Sequence, residues 1–397
     1  YFTKEEVMKK FIEKKERNYG IDLLRIISML MVVILHVLDQ GGILGSVSNL
    51  SFEGEVFWGL EIFCYGAVNI YAIISGMFGY KSKHKGSSII NLCFQVIFFS
   101  IIIAGADLII ALVNNAPISI INVFFNFFPS KKGYWYFSAY FCLFFFMPIL
   151  DIIIDNVPKS VLKSTAFFCF IIFCCWTQFY SNISNLGTGY SILWLALLYL
   201  VGGYISKYNP FNNSSFLRCV LIFLICIAIT IAGRIAIGLV IGKTSLSPSL
   251  VNFFVSYTSP TITIASIFIV LAFSRIKFNK LVNKAIGFFA PLSFGVYLIH
   301  CHPIIFAQMK GAFIWILQYN AFLGVLIVIG ISLIIMLVCM LLDYVRLTLF
   351  KVIKIKQLSE LIAKGATKFK NFVFKIFHIN INDNEESDLE LDERKVS

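Results

Sequence analysis

Charge is scarce in this chain. Lys, Arg, Asp and Glu together make up 14% of its 397 residues, while hydrophobic types make up 59%. A soluble domain carries about 25% charged residues, because its surface has to be solvated. A water-soluble globule is thereby excluded, and lipid must be the solvent for most of the chain. No two of the ten cysteines, at 64, 93, 142, 169, 174, 175, 219, 226, 301 and 339, have CxxC spacing. That argues against a zinc ribbon or a dithiol redox site, and the thiols read as small buried hydrophobes. GxGxxG and GxxxxGK[ST] loops are also missing, which excludes a soluble nucleotide-binding fold. Residues 1–19 mix Lys and Glu and lack the apolar core of a signal peptide. The net charge of +12 does not imply nucleic acid either. Its Lys and Arg residues fall in short runs between apolar segments, so no broad basic face exists to track phosphates.

What is present is a series of long apolar runs. A spanning helix needs about 20 largely apolar residues. Runs of that kind occur at 21–39, 56–79, 89–113, 134–153, 164–180, 190–206, 217–242, 253–274, 288–308 and 320–343. The expected fold is therefore all-α, a polytopic membrane bundle of about ten transmembrane helices. Cytoplasmic loops are enriched in Lys and Arg. Lys81, Lys83 and Lys85, then Lys159 and Lys163, Lys207 and Arg218, and Arg275, Lys277, Lys280 and Lys284 occupy alternate connections. The other connections hold fewer, namely Lys131, Lys132, Lys243 and Lys310. Both termini are thus expected in the cytoplasm. Three regions follow: a polar segment at 1–19, a transmembrane domain at 20–345, and a C-terminal part at 346–397. The last begins with Lys alternating with Phe, Ile and Leu, the pattern of a helix lying on anionic headgroups. It ends in an acidic tail expected to be disordered.

Charged groups inside a bilayer are costly, so each one asks for an explanation. The first run, IDLLRIISMLMVVILHVLDQ, contains Asp22, Arg25 and His36. Eleven residues of helix return to within about 20° of the same face and rise about 16 Å, so Arg25 and His36 share a stripe without touching. Asp22 is spaced to pair with Arg25. A guanidinium near the mouth suits a phosphate-bearing molecule, and a histidine deeper in suits a general base acting on a hydroxyl. The plainer alternative is that Arg25 snorkels to the interface and His36 is a satisfied core residue. PLSFGVYLIHCHPIIF adds His300 at a depth similar to that of His36, with His302 expected to face away and Pro303 to kink the helix. His36, His300 and His302 would be a conceivable metal set, but carboxylate or thiolate spacing does not support one, and no metal is expected. Asn69 reads as an interhelical hydrogen bond, and Gly76 as a point of close helix approach. Tyr134, Trp135 and Tyr136 read either as an interfacial aromatic belt or as a platform for a sugar ring.

These motifs resemble the acyltransferase-3 family of integral membrane acyltransferases. The likeness rests on Arg25 and His36 ten residues apart on the first span, on VNIYAIISGMF, on YWYFSAYFCLFFFMPIL and on SFGVYLIH. It extends from about residue 18 to 345. The resemblance implies transfer of an acyl group, usually acetyl, from cytoplasmic acyl-CoA to a hydroxyl of an envelope or surface saccharide. On that basis acetyl-CoA is the expected donor and a saccharide or lipid-linked glycan in a bacterial cytoplasmic membrane the expected acceptor. His36, Arg25 and His300 are the expected catalytic residues, and Arg25, Lys83 and Lys85 the expected donor contacts. Paired arginines common in the family after the second span are replaced here by Lys81, Lys83, His84 and Lys85. The glutamate some members carry in the span matching YWYFSAYF is absent. No esterase-like domain is expected, so one transfer step is. A transporter or flippase for a lipid-linked saccharide, or a structural subunit of an assembly complex, would also bury polar residues. Acceptor, hydroxyl position, acyl chain, acyl-enzyme formation and oligomeric state are not legible.

Overall fold

A computed structural model describes residues 17–82, 84–127, 133–176, 186–244 and 247–376. The described residues are helical, connected by turns and short 3-10 segments, without a strand. Among the described residues, eight helices are long and apolar enough to cross a membrane: Tyr19–Ser46, Phe52–Gly79, Gly86–Val113, Trp135–Asn156, Lys159–Trp176, Phe216–Ile241, Lys280–His300 and Ala321–Val352. Two shorter apolar helices, Ile192–Tyr208 and Pro260–Phe273, fall on the remaining two expected spans. The helical membrane bundle follows from the solvent: in lipid every backbone polar group must be satisfied within the chain, and helices do this locally.

For the site, the elements that matter are α1 (Tyr19–Leu38), α2 (Ile43–Ser46), α3 (Phe52–Cys64) and α4 (Ala67–Gly79). They are followed by α5 (Gly86–Val113), α6 (Ile120–Phe127), α7 (Trp135–Asn156), α8 (Lys159–Phe170), α9 (Ile192–Tyr208) and α10 (Phe216–Ile241). Next come α11 (Pro260–Phe273), α12 (Lys280–Phe289), α13 (Ser293–His300), α14 (Pro303–Gln308) and α15 (Ala321–Val352). Side-chain caps set several starts. Asn18 accepts from the Ile21 N–H at 3.1 Å and also donates to the Ser274 carbonyl at 2.8 Å, which fixes the start of α1 beside the end of α11. Ser51, Ser191 and Ser215 cap α3, α9 and α10 in the same way. At the opposite end the Gln40 amide donates to the Phe306 carbonyl, and the Gly311 N–H to the Gln40 carbonyl.

Chain contacts divide the molecule into two compact units. One comprises residues 1–84 and 95–347, the other 85–94 and 348–397. In the first unit the outward faces are apolar, with Ile101, Ile109, Phe145, Ile152, Leu224 and Leu326 all exposed. Such a surface suits acyl chains rather than water. Its interior is built on α1, where Ile21, Leu24, Val33, Val37 and Leu38 are buried. The last span runs on to Val352, past residue 345, and in the second unit Ile355–Ile376 forms a helix with exposed Lys356, Lys364 and Lys368. The acidic residues from 383 onward, and residues 1–16, lie outside the described residues.

Close approach of α4 and α9 locks this interior. A β-carbon on Gly76 would run into the Tyr199 carbonyl, and one on Gly202 into the Ile73 carbonyl. With lipid no less apolar than Leu, such packing contact is what holds helices together. Gly76→Ala should therefore destabilise the protein by about 1–3 kcal/mol, the usual cost of overpacking. Gly105→Ala is the control, because its β-carbon would meet nothing within 4 Å. There the gain in helix propensity should leave stability unchanged or raised. Thermal unfolding of the two variants in detergent, followed by size-exclusion chromatography, checks this; equal melting would refute the packing role of Gly76.

Candidate active site

Three polar groups of α1 enter the bundle along one stripe, as the helical period requires. Asp22, 5% exposed, receives Arg17 Nε at 2.5 Å and Arg25 Nη1 at 2.6 Å on its two oxygens. The Tyr71 hydroxyl of α4 donates to the Arg25 carbonyl at 2.6 Å. One guanidinium nitrogen of Arg25 is thus engaged, while its side chain remains 35% accessible and lines an internal cavity.

His36 meets His300. Its Nδ1 lies 3.0 Å from His300 Nε2, and His300 Nδ1 lies 2.5 Å from the Val296 carbonyl one turn back on α13. A carbonyl only accepts, so the proton of His300 sits on Nδ1 and its Nε2 is the acceptor. His36 Nδ1 must then donate, which leaves the lone pair on His36 Nε2. This is the arrangement by which one ring fixes the tautomer of another. Cys301 Sγ is 3.3 Å from His300 Nε2 and 3.7 Å from His36 Nδ1, so three soft or borderline donor atoms lie within 4.8 Å of one another. Phe306 covers the His36 ring edge-on, with centroids 5.1 Å apart.

The helix carrying His300 does not continue through this region. Expected at 288–308, it is broken into α12, a 3-10 turn at Ala290–Leu292, α13 and α14. His302 caps α14, with its Nδ1 accepting from the Ile304 N–H at 3.4 Å, and Pro303 takes the first helical position. His302 is fully buried and its Nε2 reaches the Asn126 carbonyl at 3.2 Å. It is a structural capping residue, so the set of three histidines does not assemble; Cys301 stands in the third place.

Arg25 and His36 line one cavity of about 540 Å³. Its far half is aromatic and acidic. Trp135 and Tyr190 have ring centroids 4.5 Å apart, Tyr190 and Tyr257 5.0 Å, and Tyr65 and Tyr257 4.9 Å, and all four line the space with Asp39 and Glu61. Burial holds the phenols of Tyr190 and Tyr257, which lie in connections between helices, above the ordinary tyrosine range. Both therefore act as neutral hydroxyls. Asn69 positions this wall: its amide donates to the Tyr257 carbonyl at 2.7 Å and accepts from Trp194 Nε1 at 2.9 Å. Tyr134 is fully buried with its hydroxyl on the Leu298 carbonyl, and Trp135 and Tyr136 line the cavity. These three aromatics are not a lipid-facing belt.

Of the residues expected at the donor, only Arg25 is in the cavity wall. Lys83 lies outside the described residues, and Lys85 is exposed in the second unit. The adjoining turn is tied down by His84 Nε2, 2.9 Å from Asp151, whose other oxygen accepts from the Tyr199 hydroxyl at 2.8 Å. Three charged residues were missed in the sequence. Arg234 of α10 is fully buried, paired with Glu55, 3.1 Å from Asn252 Oδ1, and stacked 4.4 Å from the centre of the Trp58 ring. Asp39 and Glu61 are the others. Each stands in or beside an apolar run, a signal that marks it out as surely as Arg25.

The family model Acyl_transf_3, described as an acyltransferase domain, matches residues 18–343. No curated protein and no solved structure matches the chain.

The histidine chain makes a direct spectroscopic expectation. In protein labelled with ¹⁵N on its histidine rings, His36 and His300 should both carry their proton on Nδ1, and metal chelation should leave the signals unchanged. His300→Leu should release His36 from that single tautomer. A proton on His36 Nε2, or signals that move when metal is stripped, would overturn the assignment.

Proposed function

Because this chain belongs to the Acyl_transf_3 family of acyltransferases and spans a membrane, we propose that it transfers an acetyl group from cytoplasmic acetyl-CoA to a hydroxyl of an envelope or surface saccharide. The observation that carries this reading is the shared cavity, lined by a guanidinium at one end and a base-capable imidazole further in. Arg25 offers its free N–H groups to the phosphates of the donor, and Asp22 with Arg17 holds it in place. The pantetheine arm runs inward over the rise of about 16 Å that separates Arg25 from His36. There the acceptor hydroxyl loses its proton to His36 Nε2 as its oxygen attacks the thioester carbonyl. The C–S bond breaks, and the imidazolium returns the proton to the departing thiolate, so His36 ends neutral. His300 acts through His36: its Nε2 fixes the donating Nδ1–H and faces the positive charge that develops on the ring.

The orientation that fits this reading puts the start of α1 in the cytoplasm of a bacterial cell membrane. The Lys- and Arg-rich connections support it, since 275–284 adjoins the start of α1 through the Asn18–Ser274 contact. Donor and acceptor then enter from opposite ends and meet at His36, and direct transfer inside the cavity requires no crossing by a free acyl group.

His36→Ala should lower turnover by about 10²–10⁴-fold, the range of a general base, with acetyl-CoA binding nearly intact. Arg25→Lys should instead raise the KM for acetyl-CoA by about tenfold or more and keep part of kcat, because a lysine cannot reproduce the paired geometry. Release of CoA by purified protein in detergent, with acetyl-CoA titrated by calorimetry, checks both. A carrier of glycans would consume no acetyl-CoA at all. Lost donor affinity in His36→Ala, or unchanged affinity in Arg25→Lys, would show the two roles to be misassigned.

A further inference from the structure

Among the described residues, the cavity has an acidic end with no cation to match it. Buried acids elsewhere in the first unit are paired: Asp22 with Arg17 and Arg25, Glu55 with Arg234, and Asp343 with Arg346 at 2.8 and 2.7 Å. Glu61 is different. It is 5% exposed, lines the cavity and has no ion-pair partner among the described residues, and its Oε2, like one oxygen of the paired Glu55, is buried without a hydrogen-bond partner. A buried polar atom left unsatisfied costs about 1–3 kcal/mol, and a carboxyl with no cation beside it that faces a cavity can recover this cost from a ligand's hydroxyls. Asp39, one turn beyond His36 on α1, faces the same space and lies close enough to Glu61 to interact electrostatically. Arg234 is spent on Glu55 behind Trp58 and does not line the cavity.

Two properties of this end identify its ligand. Its walls are rings, with Trp135 against Tyr190 and Tyr257 and Tyr65 beyond, together with the amide of Asn252. Its floor is a pair of hydrogen-bond acceptors. A pyranose has the complementary make-up, an apolar C–H face bounded by hydroxyl donors, and aromatic stacking with a few placed polar groups is how such sites are built. Arg25 at one end and the two carboxyl groups at the other give the cavity a direction.

We propose that Glu61, assisted by Asp39, is the acceptor-binding carboxyl: it hydrogen-bonds to hydroxyls of a sugar ring stacked on Trp135 and so presents a neighbouring hydroxyl to His36. This rests on the saccharide acetyltransferase reading above. Neither acid touches the reacting atoms, so both are specificity and positioning residues.

The test is steady-state kinetics in detergent, with acetyl-CoA as donor and, as acceptor, alkali-treated surface polysaccharide from cells that make this protein. Glu61→Leu should raise the acceptor KM by about tenfold, the value of one or two lost buried hydrogen bonds. Glu61→Gln, which keeps one carbonyl acceptor, should fall between Leu and wild type. In both, the KM for acetyl-CoA and the slow release of CoA without acceptor should be unchanged. Trp135→Leu should raise the acceptor KM in the same selective way. An unchanged acceptor KM in Glu61→Leu, a raised KM for acetyl-CoA, or a lowered melting temperature with no kinetic selectivity would overturn the subsite while leaving the acetyltransferase reading intact. If wild-type protein releases no CoA in response to the polysaccharide, both readings fall.

Discussion

The hydrogen bond from His36 to His300 is the contact on which the arrangement of this protein depends. Two imidazoles can meet nose to nose in a membrane interior only if each has the right tautomer, and the Val296 carbonyl decides that for His300. The contact also sets the backbone. To bring the His300 ring onto α1, α13 ends at His300, and the chain restarts at Pro303 with His302 as its cap. A continuous helix through 288–308 would have carried no such corner, and the cavity wall made by Pro303 and Phe306 would not exist.

Around that contact the polar groups are sorted by what they are paired with. Asp22, Glu55 and Asp343 spend their charge on arginines, and the Glu55–Arg234 pair joins α3 to α10. In a bilayer such pairs are tolerated because each partner removes the other's desolvation cost. Arg25, His36, Asp39 and Glu61 keep hydrogen-bonding capacity to spare, and all four line one cavity. The arginine–carboxylate pairs build the bundle, and these four groups are available to a substrate.

Close packing supplies the rigidity that this sorting needs. α4 rests against α9 through Gly76 and Gly202, and α4 also carries Asn69, whose amide holds the Tyr257 wall, and Tyr71, which grips the backbone of α1 at Arg25. One helix therefore ties both ends of the cavity to the scaffold, and a small displacement of it would disturb the donor end and the aromatic end together.

The sequence alone determined the solvent, the helices and their approximate bounds, because apolar run length is a local property and lipid enforces it everywhere. It also determined that Arg25 and His36 share a stripe, since helical periodicity converts spacing directly into direction. Tertiary structure decided what those residues meet. His300 at a similar depth is visible in the sequence, but its contact with His36 at 3.0 Å depends on how α13 packs against α1, which distant helices set. Asn69 announced a hydrogen bond without announcing that its partners would be Tyr257 and Trp194. Tyr134–Tyr136 carried the composition of an interfacial belt and were turned inward, because a helix's rotation about its axis is set by neighbours and not by its own residues. Glu61 was legible as an acid within lipid; that it would stand beside an aromatic cavity without an ion-pair partner among the described residues depended on every other helix having found its place first.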